Sequence, residues 1–345
     1  MTTIKDVAKA ANVSISTVSR VLNNSGYCSV STREKVYKAV EELKFQKSMV
    51  ATAMIKKKTS TLGLIIPDIK NIFYGELTRA IEDQAHQHGF NVILCNTDND
   101  LDKEAEYLSF LLRKGIDGII FSTPEMNDRN IREVMKNRPD LPMILLGSQV
   151  ENVKLDEVLV DNFEGGYQAT QHLLEYGHER IGYIGGQEDS YATVERYKGY
   201  SKALEDHGLQ PTDHYVRLDE FKIHSGYQQG KELLALPDRP TAIFAGNDAI
   251  AVGIYKAARE LNISIPEELS VIGFDDSQFA EIVAPELTTI RTPTADMGEK
   301  TVELIVQIIK EDKNFKETIT FQPTLIERGS TTVVDENDLV QKYPS

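Results

Sequence analysis

Residues 4–23 read IKDVAKAANVSISTVSRVLN, two short amphipathic runs with a tight connection between them. In the first run Ile4, Val7, Ala8 and Ala11 repeat at three and four residues, and Thr3 followed by Asp6 has the spacing of an N-terminal capping pair, so a short helix is expected. Asn12 tolerates the left-handed conformation that stops a helix, and Ser14 can cap a second one over residues 15–23, with Val18, Val21 and Leu22 facing inward. Ser31 with Glu34 three residues on signals a third, with Val36, Ala39, Val40 and Leu43 on one face. Together these make a three-helix unit of helix-turn-helix type.

The second helix leaves a polar face uncovered. A helix lying in the major groove reads bases with its N-terminal residues, and arginine best matches the acceptor pair of guanine. Ile15, Ser16 and Arg20 are therefore assigned to base edges, and Ser14, Thr17, Ser19 and Asn23 to phosphates. The competing reading of the spacing is a three-helix protein-binding module. Charge favours DNA: residues 1–60 hold 11 Lys and Arg against 4 Asp and Glu, a net of +7. The remaining residues, 61–345, hold 27 against 49, so a chain of net charge -15 carries a small basic head on an acidic body. Only the head should meet a polyanion.

A length of 345 residues with 41% hydrophobic and 26% charged residues fits two or three soluble domains. The N-terminal MTTIKDVAKAANVS never becomes an apolar block, so neither a signal peptide nor a membrane span is expected. Cys28 and Cys95, far apart in sequence, offer no disulfide framework and agree with a reducing cytoplasm. From Leu62 onward short apolar runs (LGLII, NVILC, GIIF, MILLG, VLV) alternate with amphipathic segments at 74–88, 102–114 and 128–137. A second series (RIGYIGG, YVRL, AIFAG, SVIGF) alternates with segments at 164–176, 193–207, 224–235 and 248–261. Strand-helix alternation predicts parallel sheets flanked by helices, and two such units in tandem predict a ligand cleft at the carboxyl ends of their strands.

The ordered motifs IKDVAKAANVSISTVSRVLN, STREKV, NIFY, ERYKGYSKAL, AGNDAIAVG, IPEELSVIGFDD and LTTIRTP resemble the LacI/GalR family of bacterial transcription regulators, over nearly the whole chain to about residue 330. IIPDIKNIFYGELTRAIED and NVILCNTDND are similar to the branch of catabolite control protein A and the ribose repressors. The resemblance implies a small all-α helix-turn-helix domain at 1–46, a hinge at 47–60, and an α/β body of two periplasmic-binding-protein-like lobes at 61–330. The lobes would comprise about 61–161 with 292–322 and about 162–291 with 322–330, and 331–345 would be a tail. It implies a homodimeric repressor, one short recognition helix reading too few base pairs alone, on a pseudo-palindromic operator.

The resemblance also implies site residues. By family position the effector, a sugar or sugar phosphate, would meet Asn71, Phe73, Tyr74, Ser148, Arg196, Phe221, Asn247, Asp275 and Thr292, with aromatic faces for the sugar ring and polar groups for its hydroxyls. Two departures stand out: Gly147 and Ser148 where many sugar binders have an Asp-Arg pair, and Thr292 where many have Gln. In the hinge Met54 would wedge into the minor groove, Ala51 and Ala53 would allow close approach of two hinge helices, and Lys47, Lys56, Lys57 and Lys58 would flank them on phosphates. Lys47-Ser48 replaces the usual Pro-Asn and Thr52 the usual Arg.

Other chemistry has weak signals. NTDNDLD lacks the glycine and late glutamate of a calcium loop, and His86-x-His88 has no cysteine nearby. No nucleophile is paired with a base, so neither catalysis nor a cofactor or metal is expected. A sugar-modifying enzyme or solute-binding protein would leave the basic head unexplained. Docking of a phosphorylated carrier protein, the mode of the catabolite control branch, would need free basic residues along 297–309, where Lys300 sits between Glu299 and Glu303.

Overall fold

The computed structural model describes residues 2–23, 25–45, 59–123, 125–311 and 316–334, in two compact units, Met1–Thr59 and Ser60–Ser345. The hinge residues Lys47, Ala51, Ala53, Met54, Lys56, Lys57 and Lys58 lie outside the described residues, as do 335–345 of the expected tail.

The head consists of α1 (Ile4–Ala10), α2 (Ile15–Leu22) and α3 (Val30–Glu42). Val7, Ala8, Ala11, Val18, Val21, Val36 and Ala39 are buried in one cluster, the stripes expected from the 3.6-residue period. Asp6 accepts from the Thr3 hydroxyl at 2.7 Å and from its backbone N–H at 2.8 Å, and these bonds hold its carboxyl below the usual range. Asn12 adopts φ 52°, and Ser14 Oγ accepts the Thr17 N–H at 3.1 Å. The third helix begins earlier than Ser31 suggested. Ser29 caps it by accepting the Thr32 N–H at 3.2 Å, which places Ser31 in the first turn.

In the body the first lobe is built from β1 (Thr61–Ile66), α4 (Ile72–Gln87), β2 (Asn91–Asn96), α5 (Leu101–Lys114), β3 (Gly118–Ser122), α6 (Arg129–Asn137), β4 (Met143–Leu146) and β5 (Asp156–Val160). The chain then builds the second lobe from α7 (Asn162–Glu175), β6 (Ile181–Gly185), α8 (Tyr191–Asp206), β7 (Val216–Leu218), α9 (Ile223–Leu234), β8 (Ala242–Ala245), α10 (Asp248–Glu260), β9 (Ser270–Asp275), α11 (Gln278–Ile282) and β10 (Thr288–Arg291). It returns to the first lobe with α12 (Thr294–Glu311) and β11 (Thr318–Phe321), and ends in the second with β12 (Thr324–Ile326).

The two sheets have the orders β11-β5-β4-β3-β1-β2 and β12-β10-β9-β8-β6-β7. Every pairing is parallel except that of β12 with β10. Strand β1 shows why the runs are apolar throughout: Leu62, Leu64 and Ile66 join the core on one face while Ile65 joins the core on the other. Residues 330–334, split by the expected boundary of the tail, are tied to the second lobe. Ser330 donates to Val271 O at 2.6 Å, Thr331 Oγ1 lies 2.9 Å from His172 Nε2, and the Val334 N–H donates to Tyr176 O at 2.9 Å.

Candidate DNA-reading face and ligand cleft

On the head, Val18 and Val21 turn α2 so that Ser14, Ile15, Ser16, Arg20 and Asn23 are exposed, with Thr17 and Ser19 half-buried beside them. Ile15 is 45% exposed, a large apolar group at the N-terminal end of the helix where a base edge would meet it. The hydroxyls of Ser14 and Ser16 lie 2.8 Å apart, as do those of Ser14 and Thr17, and Asn23 Nδ2 donates to Ser19 Oγ at 3.2 Å. These small groups form one polar rim around Ile15 and Arg20, able to exchange mutual hydrogen bonds for phosphate oxygens.

In the body the carboxyl ends of both sheets open into one cavity of about 130 Å³. By the same measure one water needs about 10–15 Å³, so the space holds on the order of ten waters, enough for a small polar ligand. Asn71, Phe73, Tyr74, Ser148, Arg196, Phe221, Asn247 and Asp275 all line it. Thr292 does not. It is buried, its N–H donates to Asp275 O at 3.3 Å, and its hydroxyl has no partner among the described residues.

Local structure fixes these side chains. Asn71 caps α4 by accepting the Phe73 N–H at 3.1 Å, and Asn247 caps α10 by accepting the Ile250 N–H at 2.9 Å, so the cap uses the oxygen of each side chain and not its NH2 group. The first turn of α4 then presents Phe73 and Tyr74 edge to face, with ring centres 5.2 Å apart. Tyr74 OH lies 2.7 Å from Thr123 Oγ1, and burial pushes its hydroxyl up to about 12. Phe221 lies against Gly186, where a Cβ would fall 2.2 Å from the ring, so only glycine leaves space for the aromatic wall.

Arg196 and Asp275 form the charged floor. The guanidinium donates from Nε to Asn162 Oδ1 at 2.8 Å and from another nitrogen to Gly246 O, and stacks 3.4 Å from the centre of the Phe274 ring. Its remaining nitrogen comes within 3.7 Å of Asp275, an ion pair too long for a hydrogen bond. Asp275 sits at φ 106° at the end of β9 with its carboxylate only 8% exposed. Burial raises its pKa well above the usual carboxylate range, opposed by Arg196. Burial also holds the carboxyl of Glu76 on α4 above the usual range.

Several lining residues carried no motif: Asn162, Glu125, Asp189 and Glu220. All four follow strand ends, the one signal that could have marked them. Asp100 accepts the Asp102 and Lys103 N–H groups at the start of α5, so NTDND is a loop that caps a helix. Among the described residues no group of three or more His, Cys, Asp or Glu could hold a metal ion, and no helix is long and apolar enough to cross a membrane.

Residues 3–48 match the sequence model of bacterial regulatory proteins, lacI family, and residues 170–331 match that of a periplasmic binding protein-like domain. The HTH-type transcriptional regulator DegA of Bacillus subtilis (strain 168) is 39% identical over 336 residues, 96% of this chain and 98% of its own. The chain belongs to the LacI family. It is accordingly a transcriptional regulator with a DNA-binding head and a ligand-binding body. The lac repressor dimer bound to operator and the anti-inducer ONPF superposes with a TM-score of 0.88 at 26% identity, covering 96% of this chain and 99% of that one. A LacI family regulator from Enterococcus faecium with bound ribose gives 0.72 at 34% identity, covering 80% and 100%.

Proposed function

We propose that this LacI-family chain is a cytoplasmic, homodimeric repressor of a carbohydrate-related operon, without enzymatic activity, released from or driven onto a pseudo-palindromic operator by a sugar-class effector. The observation that carries the reading is Asp275: a nine-tenths buried carboxylate that accepts no side-chain hydrogen bond among the described residues, beside Arg196 and within a wall of Phe73, Tyr74 and Phe221. A carboxylate that faces the cleft with no protein donor is open to a sugar hydroxyl, while the rings cover the apolar face of the sugar. The ribose and ONPF complexes of the relatives support the same use of the cleft. Ile15, Ser16 and Arg20 would read bases, Ser14, Thr17, Ser19 and Asn23 would hold phosphates, and Met54 with its flanking Ala51, Ala53 and lysines would serve the operator centre.

A phosphorylated carrier protein is the weaker regulator, since Lys300 already donates to Glu303 at 3.3 Å. The test is operator binding by fluorescence anisotropy with and without sugar. Asp275→Ala should keep basal operator affinity within about twofold and lose most of a coupling of about 1–3 kcal/mol. An undiminished response in the variant would remove Asp275 from the effector site.

A further inference from the structure

The cleft's charges say more about its ligand than its aromatic walls do. Five carboxylates line it, those of Asp68, Glu125, Asp189, Glu220 and Asp275, against the cations of Arg196 and Lys222. Each cation already sits beside a carboxylate. Lys222 Nζ donates to both carboxylate oxygens of Glu220 at 3.0 and 2.9 Å, and Arg196 donates to Asn162 and Gly246 with its remaining nitrogen 3.7 Å from Asp275. Glu125 and Asp189 come from opposite lobes and form no ion pair among the described residues, and Asp189 lies near enough to Glu125 to help raise its pKa, after the larger effect of burial.

Helix N-termini are the other source of positive potential. Five helices start at the cleft, α4, α7, α8, α9 and α10, each worth on the order of half a charge. Together they come to about two and a half charges against the three carboxylates of Asp68, Glu125 and Asp189, and the cap side chains of Asn71, Asp161 and Asn247 already occupy an N–H in three of them.

We infer that the cleft excludes anions and takes an uncharged carbohydrate, with Glu125 and Asp189 facing each other across it as the filter against phosphorylated or acidic effectors. This rests on the carbohydrate reading above. It deepens that reading by separating a free sugar from its phosphate ester, two ligands the aromatic wall alone would treat alike. A phosphate of nearly two negative charges brought between the two lips meets repulsion from both, on the order of tenfold in affinity per carboxylate.

The test is a thermal-shift titration of the full-length protein at constant ionic strength, with a panel of free monosaccharides, each paired with its own phosphate ester. At least one free sugar should raise the melting temperature while its ester does so only at tenfold or more higher concentration. The double variant Glu125→Gln, Asp189→Asn, whose unliganded melting temperature checks its fold, should narrow that gap by at least tenfold. A phosphate ester that binds as tightly as its parent sugar overturns the filter and leaves the carbohydrate reading standing. So does a gap unchanged in the double variant. If neither sugars nor esters shift the melting temperature of a protein that still binds DNA, the carbohydrate reading itself fails and the filter with it.

Discussion

The side chain of Arg20 lies along Gly26, where φ is 78° and an added Cβ would sit 3.3 Å from the arginine Cδ. Any other residue there would be strained and would crowd the stem that carries the guanidinium. Arg20→Ala should cost about 1–3 kcal/mol of discrimination between operator and a single-base variant, read by competition binding, while non-specific affinity falls much less. A second buried group makes a pH prediction. Glu104 is packed against Asp128, and burial first and that carboxylate second push it up to about 8. Burial likewise raises Asp128. The unfolded chain releases these protons near the ordinary carboxylate range and the folded one later, so stability is fullest at low pH within the native range and falls as pH rises from about 4.5 to 8. Glu104→Gln, which retains the hydrogen-bonding shape, should flatten that slope in denaturant melts at pH 6 and 8. The sequence revealed Arg20, which lies on an exposed helical face, but not Glu104, whose partner arrives from another helix.

Pairs of glycines bring helix backbones together in the second lobe. A Cβ on Gly166 would fall 2.3 Å from Arg196 O, and one on Gly199 would fall 2.1 Å from Phe163 O. The same device joins α9 to α10, where Gly226 meets Ile250 O at 2.1 Å and Gly253 meets Ile223 O at 2.2 Å. Because backbone rather than a flexible side chain stands in the way, Gly199→Ala must push α7 and α8 apart. It should destabilise the protein by about 3 kcal/mol, the upper part of the usual overpacking range, in chemical denaturation. It should also weaken the effector response, since α8 carries Arg196. Strand and helix order was legible from apolar periodicity, as in LGLII and the segment at 74–88. The helix starts were less so: Asn71 and Asp161 start helices two residues earlier than the apolar pattern, because capping is a hydrogen-bond property and periodicity records burial. The glycine pairs carry no periodic signal at all, as their reason lies on another helix.

Charge divides the chain into a head of net +7 and a body of net -22 on either side of residue 60, close to the border between the two compact units. A fragment of residues 60–345 should keep the effector-dependent thermal shift of the full chain and lose measurable affinity for operator DNA, by calorimetry and anisotropy on the same preparation. Loss of the shift in the fragment would mean that the cleft needs the head. The cleft itself was largely legible, because the rule that ligands gather at strand ends and the family's motifs converge on Asn71, Phe221, Arg196 and Asp275. Thr292 escaped that logic: it follows β10 in sequence yet turns into the protein beside the floor. The acidic lip was missed because Glu125 and Asp189 are ordinary loop residues until two lobes bring them face to face.

Sheet order also sets a timetable for synthesis. The first lobe's edge strand, β11, pairs with β5, yet the whole five-stranded core of the second lobe is encoded between them. At about 5–20 residues per second, roughly ten to thirty seconds separate the emergence of the two strands from the ribosome. Throughout that interval the newborn β5 presents an unpaired edge, the kind of surface that recruits other chains. The lobe begun first is therefore completed almost last, and premature termination before Phe321 leaves a product that carries a finished DNA-binding head on a body with an open seam.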